Sequence, residues 1–274
     1  MTGTGIDGYR DYLEHRDGAA DLLHRRLANR EDFFTSLETD PVRSARRIDR
    51  RVFMRNLRRR RPEPGLSREM LFLLATAKLN QAERFGVDLG DTYGRIGGED
   101  EPPERIYLAL EEHYHTRLLA YVLDIFGLPF QVVVPPFVMR QFVKMEVFLP
   151  ERFGFPFVGA AEMAGCIMFD ELRRIGVEMF ADEPDVAARI DRLYTEILTD
   201  ELGHVGYCAA RCSNAERAVM RWLYPTFGRL FARQTAEISL LTDRERLHAR
   251  LDAPFDAAGL AAGVPNETFV AAHP

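Results

Sequence analysis

Two short stretches of this chain place chemically capable residues at a meaningful spacing: Glu112-His113-Tyr114-His115 and Glu201-Leu202-Gly203-His204. In each, a Glu and a His stand three residues apart, which on an α-helix sets a carboxylate and an imidazole on one face, one turn apart. Two such pairs on facing helices, joined by a lone Glu from each of two further helices, make a centre for two metal ions. With 7 His and 23 Glu in 274 residues, chance supplies about 0.6 Glu-x-x-His matches. Three are present; the third, Glu245/His248, sits in the short charged run Asp243 to Arg250 and reads as a surface coincidence. The first two lie among Leu, Ile, Val and Tyr, where a carboxylate without a cation or partner is costly to bury. A metal would offset that cost. The alternative is a solvent-facing role, with pairing to Arg117 or Arg211, in a helical binding protein that holds no metal.

The lone carboxylates come from the intervals. Glu83 precedes Glu112 by 29 residues, and Glu171 precedes Glu201 by 30. Matched intervals suit a pseudo-two-fold bundle and favour Glu171. Glu162, in the small-residue run Gly159-Ala160-Ala161-Glu162, is the alternative third-helix ligand, although its 39-residue interval breaks the symmetry. Asp200 and Glu111 each stand directly before a Glu of Glu-x-x-His and are candidates to accept from the second ring nitrogen of a metal-bound His. Tyr114, Tyr194 and Tyr207 fall near the same level and read as buried rings with satisfied hydroxyls. Phe142, Met145, Met168 and Cys208 are candidate walls of an apolar substrate pocket; the Phe- and Met-rich stretch that contains the first two equally fits a plain cover over the helices.

Helices must position these residues, because the apolar periodicity is helical throughout and two-fold alternation is absent. The expected order is an amphipathic segment over about 19–37, then an Arg-rich helix opened by Asp40-Pro41 and ending at Arg61. Ser67 caps the first bundle helix, which stops near Gly86, and the second runs from Glu104 to about Phe126. A long connection over 127–156 holds one short helix after Pro135-Pro136. The third bundle helix spans about 157–180, and the fourth runs from Asp182-Glu183-Pro184 to about Arg211. Ser213 and Thr242 each head a capping box that opens a further helix, the first kinked at Pro225. The fold class is all-α: one domain over 1–274, its bundle core at about 67–211, with extra helices at 8–61 and 213–251.

The hydrophobic fraction of 46% is ample for a core, and three cysteines, Cys166, Cys208 and Cys212, are too few for a disulfide framework. No run reads as a membrane span or a signal peptide, so a cytoplasmic protein without a membrane partner is expected. The net charge of −6 hides ten Arg against one acid between Arg43 and Arg61. That segment reads as a solvated helix face or as a docking surface for an acidic partner. Nucleic acid ranks last, since Phe53 is its lone aromatic.

Taken together, Glu83, Glu112/His115, Glu171 (or Glu162) and Glu201/His204, in that helix order with a long crossover, resemble the ferritin-like di-iron carboxylate superfamily. The resemblance covers about residues 67–211 and is more specific for fold than for activity. It implies a ferritin-like four-helix bundle, two Fe ions (or Mn, or a mixed Mn/Fe pair) bridged by Glu112 and Glu201, and O2 as co-substrate. Hard oxygen donors with few nitrogens independently favour iron or manganese over copper or zinc. The activity implied is an oxygenase or oxidase acting on a small or carrier-bound organic molecule, with an external electron donor, and the resemblance extends to roles in secondary metabolism and to a homodimer. The arylamine N-oxygenases of this superfamily carry an additional His where this chain has Ile197, which argues against direct assignment to them. A bacterioferritin-like iron-handling role is the runner-up, although the long extensions at both ends favour an enzyme.

Overall fold

A computed structural model describes residues 6–17, 22–92, 103–131 and 133–263, and all regular structure among them is helical. In chain order the helices are α1 (Ile6–Asp17), α2 (Leu22–Thr39), α3 (Arg50–Leu57), α4 (Arg68–Thr92), α5 (Pro103–Asp124) and α6 (Phe137–Phe148). There follow α7 (Glu151–Met179), α8 (Pro184–Ala210), α9 (Asn214–Gln234), α10 (Ile238–Leu241), α11 (Arg244–Asp252) and α12 (Ala257–Ala261).

The four longest helices form a closed ring: α4 packs on α5, α5 on α8, α8 on α7, and α7 on α4. Arg46 gathers one end of the ring, donating to Glu69 at the start of α4 (2.5 Å), to the Met179 carbonyl at the end of α7 (2.9 Å), and to Asp182 and Glu183 before α8 (2.6 and 3.1 Å). Ser44 N donates to the Ile125 carbonyl just past α5. Starts of α4 and α8 thus meet ends of α5 and α7, so neighbours in the ring are antiparallel. The chain leaving α5 must travel back along the ring before α7 can begin, and 125–150, with α6 inside it, is that return.

Sequence chemistry accounts for the helix starts. Ser67 Oγ accepts from Met70 N at 3.2 Å, Pro184 occupies the first turn of α8, and Ser213 with Glu216 makes a reciprocal capping box for α9. Inside the ring, Leu73, Leu74, Leu118, Leu119, Ala164, Leu172, Ile190 and Leu193 are inaccessible. Helix α7 comes so close to its neighbours that two of its glycines have no room for a side chain. A Cβ on Gly176 would lie 2.7 Å from Ile190 Cγ2, and one on Gly159 would lie 2.8 Å from Met220 Sδ.

Several expected boundaries move. Asp40-Pro41 opens no helix; residues 41–49 run irregularly because Ser44, Ala45 and Arg46 are held across the ring's end, and α3 starts only where Asp49 accepts from Arg51 N and Val52 N. Gly86 does not stop α4, which continues to Thr92, and α7 begins at Glu151 and runs through Pro156. Asp243, not Thr242, caps α11, because Thr242 Oγ1 is engaged by Glu171. By length and composition Phe153–Met179 could cross a membrane, against the expectation from sequence; 72% of its most apolar window is buried against the other helices. The expected tail over 259–274 lies mostly outside the described residues.

Candidate metal centre

Glu83 of α4, Glu112 and His115 of α5, Glu162 of α7, and Glu201 and His204 of α8 meet inside the ring. They form two overlapping groups, Glu83/Glu112/His115/Glu201 and Glu112/Glu162/Glu201/His204, each with one donor atom per residue within 4.8 Å of every other. Glu112 and Glu201 belong to both groups. His115 Nδ1 lies 3.2 Å from Glu201 Oε1, and His204 Nδ1 lies 3.2 Å from Glu112 Oε1. Each imidazole therefore turns Nδ1 toward the shared carboxylates.

The outward nitrogens are paired crosswise. His204 Nε2 lies 2.9 Å from Oε2 of Glu111 on the opposite helix, and His115 Nε2 lies 3.4 Å from Oδ2 of Asp200. Each acid thus faces the imidazole across the interface rather than the one on its own helix; Glu111 and His204 share a hydrogen bond that ties α5 to α8, and Asp200 approaches His115 without hydrogen-bond geometry. Behind the acids stand two arginines of α2. Arg26 bridges Glu111 and Asp200, and Arg30 donates to both Asp200 oxygens at 2.5 and 2.6 Å and to Glu196 at 3.0 Å. Arg26 and Arg30 are 1% and 4% exposed.

The electrostatics are those of a site built for cations. Burial alone would drive Glu112 up, but His204 and His115 outweigh it and hold the carboxyl down to about 2. Burial likewise works against charging His115, yet Asp200 and Glu201 overcome it and raise the imidazole to about 9. His204 is raised by Glu112 against the same burial. Burial and the neighbouring Glu201 push Glu162 well above the carboxylate range. Both ring nitrogens of His115 and Oε2 of Glu201 are buried without a hydrogen-bond partner, although Glu201 Oε1 is near: the separations fit, the angles do not. Buried polar atoms left this way are rare unless an ion or water completes them. The cluster could hold a metal ion: its carboxylates carry the negative charge a cation needs, while Arg26 and Arg30 balance Glu111 and Asp200.

Glu171, favoured by interval symmetry, lies outside the cluster. Its Oε1 accepts from Thr242 Oγ1 at 2.6 Å and its Oε2 from Arg250 Nη1 at 2.5 Å, so it fastens α11 to α7. The physical reason is that two antiparallel helices bring level those residues that are equidistant from their turn. Midway between 162 and 201 falls the α7–α8 turn at 180–183; midway between 171 and 201 falls a point inside α8. Glu245 is exposed and joins no cluster. Tyr194 shares a hydrogen bond with Thr76 at 2.8 Å. Sequence reasoning missed Arg26 and Arg30; the available signal was an i,i+4 pair of arginines on the inner face of an amphipathic helix.

A cavity of about 550 Å³ reaches the cluster, with Glu83, Glu112, Glu162, Glu201 and His204 in its wall. Phe142, Met168 and Cys208 line it. Met145 does not: α6 turns Met139, Phe142 and Val143 inward, and Met145, on the opposite side, is 47% exposed. In the basic segment, Arg46 is committed to the ring's end, Arg43 to Asp124, and Arg55 and Arg59 to Glu63; Arg47, Arg50, Arg51, Arg58, Arg60 and Arg61 are exposed. Comparison with protein-family models, curated proteins and solved structures finds no match, so the functional reading rests on this geometry.

Proposed function

We propose that the chain is a non-haem di-iron oxygenase or oxidase built on a ferritin-like four-helix bundle, with α4, α5, α7 and α8 as the bundle and Glu83, Glu112, His115, Glu162, Glu201 and His204 as ligands. The observation that carries this reading is the pairing of two overlapping donor sets with an organic-sized cavity that opens onto them. Two ferrous ions held there, or manganese in their place, would supply the electrons that reduce O2. The chain's own residues would do the rest. Glu112 and Glu201 set the spacing of the two ions, Asp200 and Glu111 fix the imidazoles so that Nδ1 faces inward, and the apolar wall excludes water from the reacting atoms.

A storage role fits less well, because the space beside the cluster is lined mainly by apolar residues such as Leu79, Val158, Phe142 and Phe169, surfaces that a growing iron mineral does not wet. Sustained turnover needs an electron donor, and the exposed arginines of α3 and its flanks suit an acidic one. The test is anaerobic Fe(II) titration followed by elemental analysis. Uptake that stops at about two ions per chain and O2 consumption that follows it support the enzyme. Uptake far beyond two identifies storage, and none at all sinks the metal centre.

A further inference from the structure

The cavity has more to say than that something organic fits. It follows the helix axes from the cluster to α6: from Glu162 to Gly154 of α7, and from Glu83 to Gly90 of α4, the lining advances about 10–12 Å at 1.5 Å per residue. At the far end Phe148 both lines the cavity and is 38% exposed, which marks the mouth. At the near end Met168 and Phe169 stand beyond Glu162 on α7. Helical side chains lean toward their own N-terminus, so these two reach back beneath the cluster and floor it. The space is thus a channel closed at the cluster and open at α6.

Its chemistry is one-sided. Among the described residues, every charged side chain in the lining belongs to the cluster, and away from the cluster Tyr207 and Cys208 are the polar side chains of the wall. A charged group partway along would lose its hydration and meet no counter-charge.

We infer that the organic substrate is an uncharged, elongated apolar molecule, a hydrocarbon chain or a file of single rings, that reacts at one end, with that end against the cluster and its body lying in the channel toward α6. This rests on the functional reading above, which supplies the reaction at the cluster. The specificity-determining residues are then those at mid-channel, Val158 above all, rather than the ligands.

The test uses the full-length protein, metal-free and iron-loaded under anaerobic conditions, with the neutral fluorophore N-phenyl-1-naphthylamine as reporter and n-alcohols from butanol to tetradecanol as competitors. Affinity is expected to rise about three- to fourfold for each added methylene, then level once the channel is full. Val158→Phe should cost the longer alcohols at least tenfold, and Val158→Ala should retain binding and move the levelling point to longer chains, which separates blockage from misfolding. Affinity independent of chain length, or long-chain binding that Val158→Phe leaves intact, overturns the inference. Metal content is read separately on the same samples. Two irons per chain without chain-length dependence defeats the substrate class alone, whereas chain-length dependence without iron defeats the metal centre alone.

Discussion

His115 shows how one side chain serves two masters. Its Nδ1 faces Glu201 and its Nε2 faces Asp200, so a metal at Nδ1 must displace a proton that the cluster's carboxylates hold up to about pH 9. Metal binding is therefore expected to release protons at pH 7, and the apparent affinity for Fe(II) or Mn(II) to rise with pH until about 9; titration in weak buffer with a pH indicator checks this. The neighbouring choice between Glu162 and Glu171 is equally sharp. Glu162→Ala should lower bound metal to one ion per chain or none. Glu171→Ala should leave metal content intact and cost stability, about 1–3 kcal/mol, since it leaves Thr242 without its acceptor and Arg250 with Asp170 alone. Elemental analysis and thermal melts on both variants decide it. Five of the six cluster residues were legible in the sequence because Glu-x-x-His and the Glu83–Glu112 interval are local features of one helix or hairpin. Equal intervals favour Glu171 over Glu162, but interval equality is not the symmetry of a hairpin. What a hairpin equalises is the distance of each residue from the turn, and Phe180-Ala181-Asp182-Glu183 sets that.

At the scale of elements, α2 is the part that the sequence disguises. An amphipathic helix is expected there, and its i,i+4 pair of arginines does not by itself say that they reach acids more than 80 residues away. In the fold they are buried against Glu111 and Asp200, so α2 is an outer wall of the metal centre. Losing one arginine leaves a buried carboxylate unbalanced, which shifts the cluster's charge and frees the imidazoles to turn. Arg26→Ala is expected to weaken metal affinity about 10- to 100-fold, the range for outer partners of metal ligands. Arg26→Lys should recover part of it, because a point charge keeps the balance but cannot span Glu111 and Asp200. Competition with a chelator of known affinity gives the measurement. The same logic explains the irregular 41–49 segment: Arg46 ends in a junction with four partners rather than a helix, and only tertiary partners from α4, α7 and the α7–α8 turn reveal it.

For the whole molecule, the cluster draws polar groups from all four long helices, so an ion bound there should raise global stability. Ions that bind only the folded chain add RT ln(1 + [L]/Kd), about 4 kcal/mol for each at a thousandfold excess over Kd. Without metal, protons do part of that work, and they fail with rising pH. The imidazole of His115 stands near 9 in the folded, metal-free chain against an ordinary 6.5. Its stabilising contribution is therefore complete below about pH 6.5 and is lost as pH climbs through 9. Glu112 behaves oppositely, its contribution being present above its ordinary value and lost only as pH falls toward 2, which leaves the neutral range untouched. With metal bound there is no proton on Nδ1 to lose. The gap in Tm between metal-loaded and chelator-treated protein is accordingly expected to widen between pH 6.5 and 9, because the metal-free form alone declines through the titration of this group. Melts of both forms at matched pH cancel every titration they share. A gap that stays constant or narrows over that range would mean that protons on the cluster do not stand in for the ions.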